Sequence, residues 1–306
     1  MFALNQSLIK KLIYNDERIE VCPHMIYEVY IAKRVQFPKT LAMEMGIFFE
    51  TQFIGAGAGD QKVYDLPRKI PTKKMLERDP NAIGEKKISQ IRIESQIEKG
   101  EKIAKEKGII IEDFNTQIKI YKQWEKNKKV LLVGTIDIGP TIFKSVDNES
   151  YVALIDLKLT SNLTSTYGPF PWGDYKRIDK IQAKQYLYLI KDIDFELNDK
   201  LNPGNNLREL FSGRINNLIK KDKIRFYYWV FDYSPKMNMR FFPYEMDKIK
   251  WNEYHERIRK SVDYLEEMHK KGYPYNPKPE LCNECPIKDC PKRNELEYPD
   301  SNELDF

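Results

Sequence analysis

A chain of 306 residues, 41% apolar and 12% aromatic, has material for a full core and suits one elaborated domain or two small ones. Its 51 basic and 46 acidic side chains leave a formal charge of +5, which permits nucleic-acid binding without requiring it. The first twenty residues interleave Leu and Ile with Lys10, Lys11, Asp16, Glu17 and Arg18, unlike a secretion signal, and no run approaches the roughly 20 apolar residues of a membrane span. A soluble, cytoplasmic protein is expected.

In chain order, residues 22–53 carry apolar side chains at three and four spacings broken at Pro38, which predicts two helices joined near 37–40, with Glu50 on the second. The run Gly55-Ala56-Gly57-Ala58-Gly59 lacks the strand and downstream acid of a dinucleotide fingerprint and reads as a flexible turn. Residues 72–108, rich in Lys, Glu and Ile and closed by Gly108, predict one or two exposed amphipathic helices, an insertion in the fold. The pattern then turns to β. Residues 109–124, 129–143 and 151–160 predict three successive strands, antiparallel by their short turns. A Pro- and Gly-containing loop at 161–173 leads to a helix over 174–191, a fourth strand follows at 223–233, and a last helix spans 247–271 before Gly272. This gives an N-terminal helical segment at 1–45, a core at 46–245 with its insertion at 72–108, a C-terminal helix with a cysteine group at 246–293, and an acidic tail at 294–306.

Charge is unevenly spread. Residues 73–107 hold ten basic and seven acidic side chains, whereas 294–306 holds five acids and no base. The first stretch is a solvated helical face or a neighbour of DNA; the tail is a disordered end or a short docking peptide, Glu303-Leu304-Asp305-Phe306, for a replication or repair protein. His24, His255 and His269 form no HExxH pair, and neither a GxxxxGK[ST] phosphate loop nor a GxSxG elbow occurs. Histidine-centred zinc chemistry, P-loop chemistry and nucleophilic serine chemistry therefore have no local support.

The strands carry a more specific signal. With a side-chain period of two, Asp156 and Lys158 share a face, and Leu131, Val133, Thr135 and Asp137 share another. If the two strands are neighbours, Asp137 joins Asp156 and Lys158 in a cluster of two acids and one amine. Two carboxylates plus substrate phosphate oxygens suffice to hold Mg²⁺, and the lysine can orient a metal-bound water and counter charge developing on phosphorus. The bland reading of an isolated Asp-x-Lys is a solvated surface pair. On the next helix Gln182 and Tyr186 stand at i, i+4 and share one face.

Gly134-x2-Asp137, then Asp156-Leu157-Lys158, then Gln182-x3-Tyr186, in this order and on this element pattern, resembles the PD-(D/E)XK nuclease superfamily, and within it the RecB-like branch. The resemblance spans Gly46 to Tyr233. It implies a restriction-endonuclease-like α/β fold, a central mixed sheet flanked by helices with core order αβββαβ. It also implies Asp137, Asp156 and the carbonyl of Leu157 as ligands of Mg²⁺ or Mn²⁺, Lys158 as the catalytic lysine, and Gln182 and Tyr186 as substrate-positioning groups. Where the branch has Gly, three residues and a metal-binding His, this chain has Gly46-Ile47-Phe48-Phe49-Glu50. A carboxylate still suits these metals, so Glu50 becomes a candidate ligand as well as a plain helical acid. Ile136 replaces the Pro of the family name.

All four cysteines, Cys22, Cys282, Cys285 and Cys290, suit one centre, the last three spaced C-x2-C-x4-C after the Pro-rich stretch 274–279. Such grouping in a cytosolic protein points to metal rather than disulfides, although Cys22 alone could be a buried free thiol. Three C-terminal cysteines with one distant N-terminal partner resemble the iron–sulfur nucleases of the AddB type and of CRISPR adaptation, implying a [4Fe-4S] cluster that clasps the termini. The last gap is one residue shorter than usual there, which leaves structural Zn²⁺ open.

The expected function is a metal-dependent deoxyribonuclease, an exonuclease acting on DNA with single strands or free ends in recombination, repair or phage DNA processing. Tyr167, Phe170 and Trp172 could stack on unpaired bases or anchor their loop. The alternative is a non-catalytic DNA-binding or assembly subunit that retains the fold and the cluster. An iron–sulfur electron carrier would leave Asp156, Lys158 and Gln182 unexplained.

Overall fold

The computed structural model describes residues 2–14, 17–55, 66–80, 82–112, 115–125, 127–144, 148–168, 170–204 and 206–293. The glycine-rich turn past Gly55 and the acidic tail with its terminal peptide lie outside the described residues. The chain forms two compact units: one from Met1–Lys39, Gln123–Leu132 and Lys248–Phe306, the other from Thr40–Lys122 and Val133–Asp247.

The first unit begins with strand β1 (Phe2–Leu4), helix α1 (Gln6–Leu12) and the small hairpin β2 (Ile13–Tyr14) and β3 (Glu17–Arg18). Asn5 caps α1 by accepting from Leu8 N at 2.9 Å. Helix α2 (Pro23–Ile26) starts with Pro at its first position and runs on as a π-helical turn, Tyr27–Ile31.

In the second unit, Thr40 caps helix α3 (Leu41–Ile54), which ends on Gly55 at φ 70°. Helix α4 (Lys73–Arg78) and helix α5 (Ile88–Lys107) precede strands β4 (Thr116–Trp124), β5 (Asn127–Lys144) and β6 (Ser150–Thr160). A 3-10 segment, Trp172–Arg177, leads into α6 (Ile181–Ile190). Short helices α7 (Phe195–Leu201), α8 (Leu207–Leu210) and α9 (Gly213–Lys220) come before β7 (Ile224–Asp232) and β8 (Met239–Tyr244). Helices α10 (Lys248–Lys270) and α11 (Pro279–Asn283) belong to the first unit, where α1 packs on α10 and Arg257 donates to Ile13 O at 2.6 Å.

One mixed six-stranded sheet has the order β1-β5-β6-β7-β8, with β4 also paired to β5. The β5–β6 and β7–β8 pairs are antiparallel, while β1–β5 and β6–β7 are parallel. The expected order of helix, three strands, helix and strand is present as α3, β4, β5, β6, α6 and β7. Sequence periodicity marks 72–108 as an exposed insertion, yet α5 buries Ile93, Ile97 and Ala104 in one cluster with Phe49 and Phe53 of α3 and Leu157, Trp229 and Phe231 of the sheet. Gly100 lets it approach: an added Cβ would lie 2.6 Å from the Phe53 ring and 2.7 Å from Phe231. The rings interlock, with Phe49 and Phe231 4.7 Å apart and Phe53 edge-on to Trp229 at 5.4 Å, each worth roughly 1.5–3 kcal/mol by burial. The Lys and Glu residues on its outer face had masked this stripe.

The opposite sheet face is covered by α6, whose Gln185 donates to Val133 O at 2.8 Å and whose Tyr186 ring meets Phe226 at 5.7 Å. The sheet thus leaves two helical layers with a carboxylate-bearing strand between them. Among the described residues no helix is long and apolar enough to cross a membrane.

Candidate active site

Strand β6 alternates faces as its sequence requires. Ile155 and Leu157 enter the α3–α5 core, whereas Asp156, buried at 1% exposure, turns toward α6. Asp156 Oδ1 accepts from Gln182 Nε2 at 2.5 Å, and its other oxygen forms an ion pair with Lys158. Asp137, on β5, comes beside them: its Oδ2 accepts from Leu157 N at 2.7 Å. The same Gln182 amide donates to Tyr186 Oη at 3.1 Å, so the i, i+4 pair on α6 forms one array over Asp156. Glu50 reaches this cluster from α3, and Gln117 of β4 donates to its Oε1 at 2.5 Å.

Three acids and one amine in a poorly hydrated space shift one another. Burial, then the charges of Asp156 and Glu50, push the Asp137 carboxyl well above its ordinary value, opposed by Lys158 and the Leu157 N–H. Burial also raises Asp156 against the pull of Lys158. Glu50 is raised by burial and by Asp156, with Lys158 and Gln117 opposing. For Lys158 burial acts downward, but Asp156 and Asp137 outweigh it and hold its ammonium above the usual range. Burial raises Tyr186 strongly, so its phenol stays neutral at physiological pH.

The donor set fits a hard divalent cation. Three carboxylates compete for one ammonium, and a cation would offset the burial and the repulsion that raise Asp137. Among the described residues no three Cys, His, Asp or Glu side chains are closed around one point at metal-binding spacing. In this arrangement Lys158 supplies the positive charge beside Asp156.

The structure separates the three loop aromatics. Trp172 is buried at 2% and packs on Tyr228 at 5.6 Å and Phe242 at 5.4 Å, anchoring the loop to β7 and β8. Tyr228 is the register partner of Asp156 across β6 and β7. Phe170, 52% exposed, lies parallel to Trp172 at 6.3 Å, and Tyr167 is 79% exposed. Asp232 fixes the start of this loop by accepting from Leu163 N at 3.4 Å and Ser234 N at 2.7 Å. Sequence reasoning missed Asp232, and it missed Gln117, whose side chain carries no motif.

In the other unit, Cys22, Cys282, Cys285 and Cys290 line a single cavity together with His24, Tyr275 and Ile287. All four thiols are free. The Cys285 thiol is pushed up by burial and by the proximity of Cys22, Cys282 and Cys290, while a backbone contact at Ile287 acts downward. Four cysteines lining one cavity are the kind of donor that an iron–sulfur cluster or Zn²⁺ takes. His24 stacks on Tyr275 at 4.1 Å, His255 on Trp124 at 4.6 Å, and His269 lies 5.7 Å from Tyr273. The histidines are thus ring-packing partners within this unit.

No protein-family model and no curated protein matches the sequence. The chain is similar to the crystal structure of a proposed exonuclease from Eubacterium rectale, with a TM-score of 0.52 and 14% identity over 97% of this chain and 90% of that one. At that identity the likeness shows a shared fold.

Proposed function

We propose that the chain is a metal-dependent DNA nuclease that hydrolyses phosphodiester bonds, acting as an exonuclease on single strands or free ends in recombination, repair or phage DNA processing. The observation that carries this reading is the convergence of Asp137, Asp156, Lys158 and Gln182, from three separate elements, with Glu50 from a fourth. Such a cluster has no structural use that an apolar core would not serve better. The Eubacterium rectale protein, a proposed exonuclease, supports the same direction through its fold.

When bound, Mg²⁺ or Mn²⁺ would supply Lewis-acid polarisation of the phosphate and a more acidic water. Asp137, Asp156, Glu50 and the Leu157 carbonyl would hold it. Lys158, kept protonated by its acidic neighbours, would orient the attacking water and balance charge on the phosphoryl oxygens. Gln182 gives its two amide hydrogens to Asp156 and to Tyr186 Oη, so it would position both while the Tyr186 hydroxyl hydrogen turns toward phosphate. Tyr167 and Phe170 are exposed and would offer unpaired bases a stacking surface. The four cysteines would hold a [4Fe-4S] cluster, or Zn²⁺ in its place, as a structural centre, and a recombination or replication protein is the expected partner.

The test is end-labelled single- and double-stranded DNA incubated with the protein and Mg²⁺ or Mn²⁺. Cleavage is expected, with Asp156→Ala and Lys158→Ala each reducing it at least 100-fold while DNA affinity, set by phosphate contacts elsewhere, changes little. Undiminished cleavage by either variant removes this site. DNA binding without any cleavage would favour a non-catalytic subunit.

A further inference from the structure

Gln117 adopts φ 50°, a left-handed conformation that a residue with a side chain rarely takes inside a strand. Its neighbours Thr116 and Ile118 are buried at 6% and 2%, so β4 is held firmly on either side of the kink. The turn of the backbone directs the Gln117 amide at Glu50 Oε1, 2.5 Å away and 67 residues earlier in the chain. Strained backbone that re-aims one polar side chain is a device found beside functional sites.

Among the described residues the hydrogen bond to the Glu50 carboxylate is the one from Gln117 to Oε1, and Lys158 is the cation that acts on it. One oxygen tied to a fixed amide and one left for a cation is the arrangement by which an outer hydrogen bond orients a metal-binding carboxylate.

We infer that Gln117 is a positioning residue, which orients the Glu50 carboxylate toward the divalent cation and thereby sets the affinity of the site for it. The inference rests on the nuclease reading of the Asp137, Asp156 and Glu50 cluster. It also gives the strain at position 117 a purpose, because an unstrained strand would point this side chain elsewhere.

The experiment measures binding of Mn²⁺ alone, by electron paramagnetic resonance of the free ion, to the full-length protein without DNA. Four forms are compared: wild type, Gln117→Gly, Glu50→Ala and the double variant. Glycine accepts φ 50° freely, so Gln117→Gly should melt no lower than wild type while losing the amide. The expected results are about tenfold weaker Mn²⁺ binding for Gln117→Gly, a loss at least as large for Glu50→Ala, and no further loss in the double variant. Wild-type affinity in Gln117→Gly, or losses that simply multiply in the double variant, would overturn the positioning role while leaving the nuclease site standing. A wild-type protein that binds no Mn²⁺ would overturn the site itself and this inference with it.

Discussion

At Asp137, burial and the charges of Asp156 and Glu50 all act against ionisation, and only Lys158 and the Leu157 N–H favour it. A carboxyl raised in the folded state costs stability wherever it is ionised, a cost that disappears once the pH falls below its value in the unfolded chain. Asp137→Asn removes the charge and keeps an oxygen to accept from Leu157 N. In chelator at neutral pH this variant should melt a few degrees above wild type, while losing Mn²⁺ binding and cleavage. A lower melting temperature would mean that the carboxylate stabilises the metal-free fold by itself. The parity of β6 made Asp156 and Lys158 legible from sequence, and Gly134-x2-Asp137 supplied the partner strand. Gln117 was not legible, because its position depends on a backbone conformation that no composition or spacing encodes. Glu50 was legible only by its distance from Gly46; its burial came from packing of α3 on the sheet.

Two glycines flank the site on different elements, and they have different physical duties. Gly134 on β5 lies under α6, where an added Cβ would sit 2.7 Å from the Tyr186 ring and 2.8 Å from Leu189 Cδ1. Gly46 on α3 would present its Cβ to nothing within 4 Å. Gly134→Ala should therefore destabilise the fold by about 1–3 kcal/mol and slow cleavage, because α6 must shift and carries Gln182 with it. Gly46→Ala should stabilise by about 1 kcal/mol, the ordinary gain of replacing glycine inside a helix. Denaturant melts of both variants check the pair, and equal effects would contradict the packing described for α6. The long elements with clear periods, β6, β7 and α10, were readable in the sequence, and α6 in part, since the helix expected over 174–191 is a 3-10 segment, Trp172–Arg177, followed by Ile181–Ile190. The short ones were not: three-residue β1, β8 and the helices α7, α8 and α9 hold too few residues to display a period. For α5 the charged outer face hid a buried stripe, and only its contact with Phe53 and Phe231 reveals it as core.

At the scale of the whole molecule, the first unit gathers three distant stretches of chain, and its early and late segments are stitched by polar contacts. Lys278 pairs with Glu20 at 2.7 Å, Arg18 with Glu267 at 2.7 Å, Asn276 Nδ2 donates to Val21 O at 3.3 Å, and His24 N donates to Pro274 O at 3.3 Å. Exposed ion pairs of this kind contribute about 0–1 kcal/mol each, too little to hold a loop that spans almost the whole chain. The cysteine spacing predicted that the four side chains gather, and they line one cavity, whereas these stitches depend on long-range pairing that sequence does not display. The apolar packing of α1 on α10 joins the early and late segments as well, and a thiolate-held centre joining Cys22 to Cys282, Cys285 and Cys290 would add to it at the far end of the C-terminal segment. Protein purified without oxygen should then be brown with about four irons per chain for a cubane cluster, or colourless with about one zinc. Cys285→Ser should lose the metal and expose the segment after Gly272 to limited proteolysis. Cys22→Ser should do the same from the opposite end of the sequence, because the stitching contacts alone are weak. Unchanged metal content and unchanged protease resistance in Cys22→Ser would show that the N-terminal thiol is no ligand, and the polar contacts together with the apolar packing of α1 on α10 would then hold the two segments.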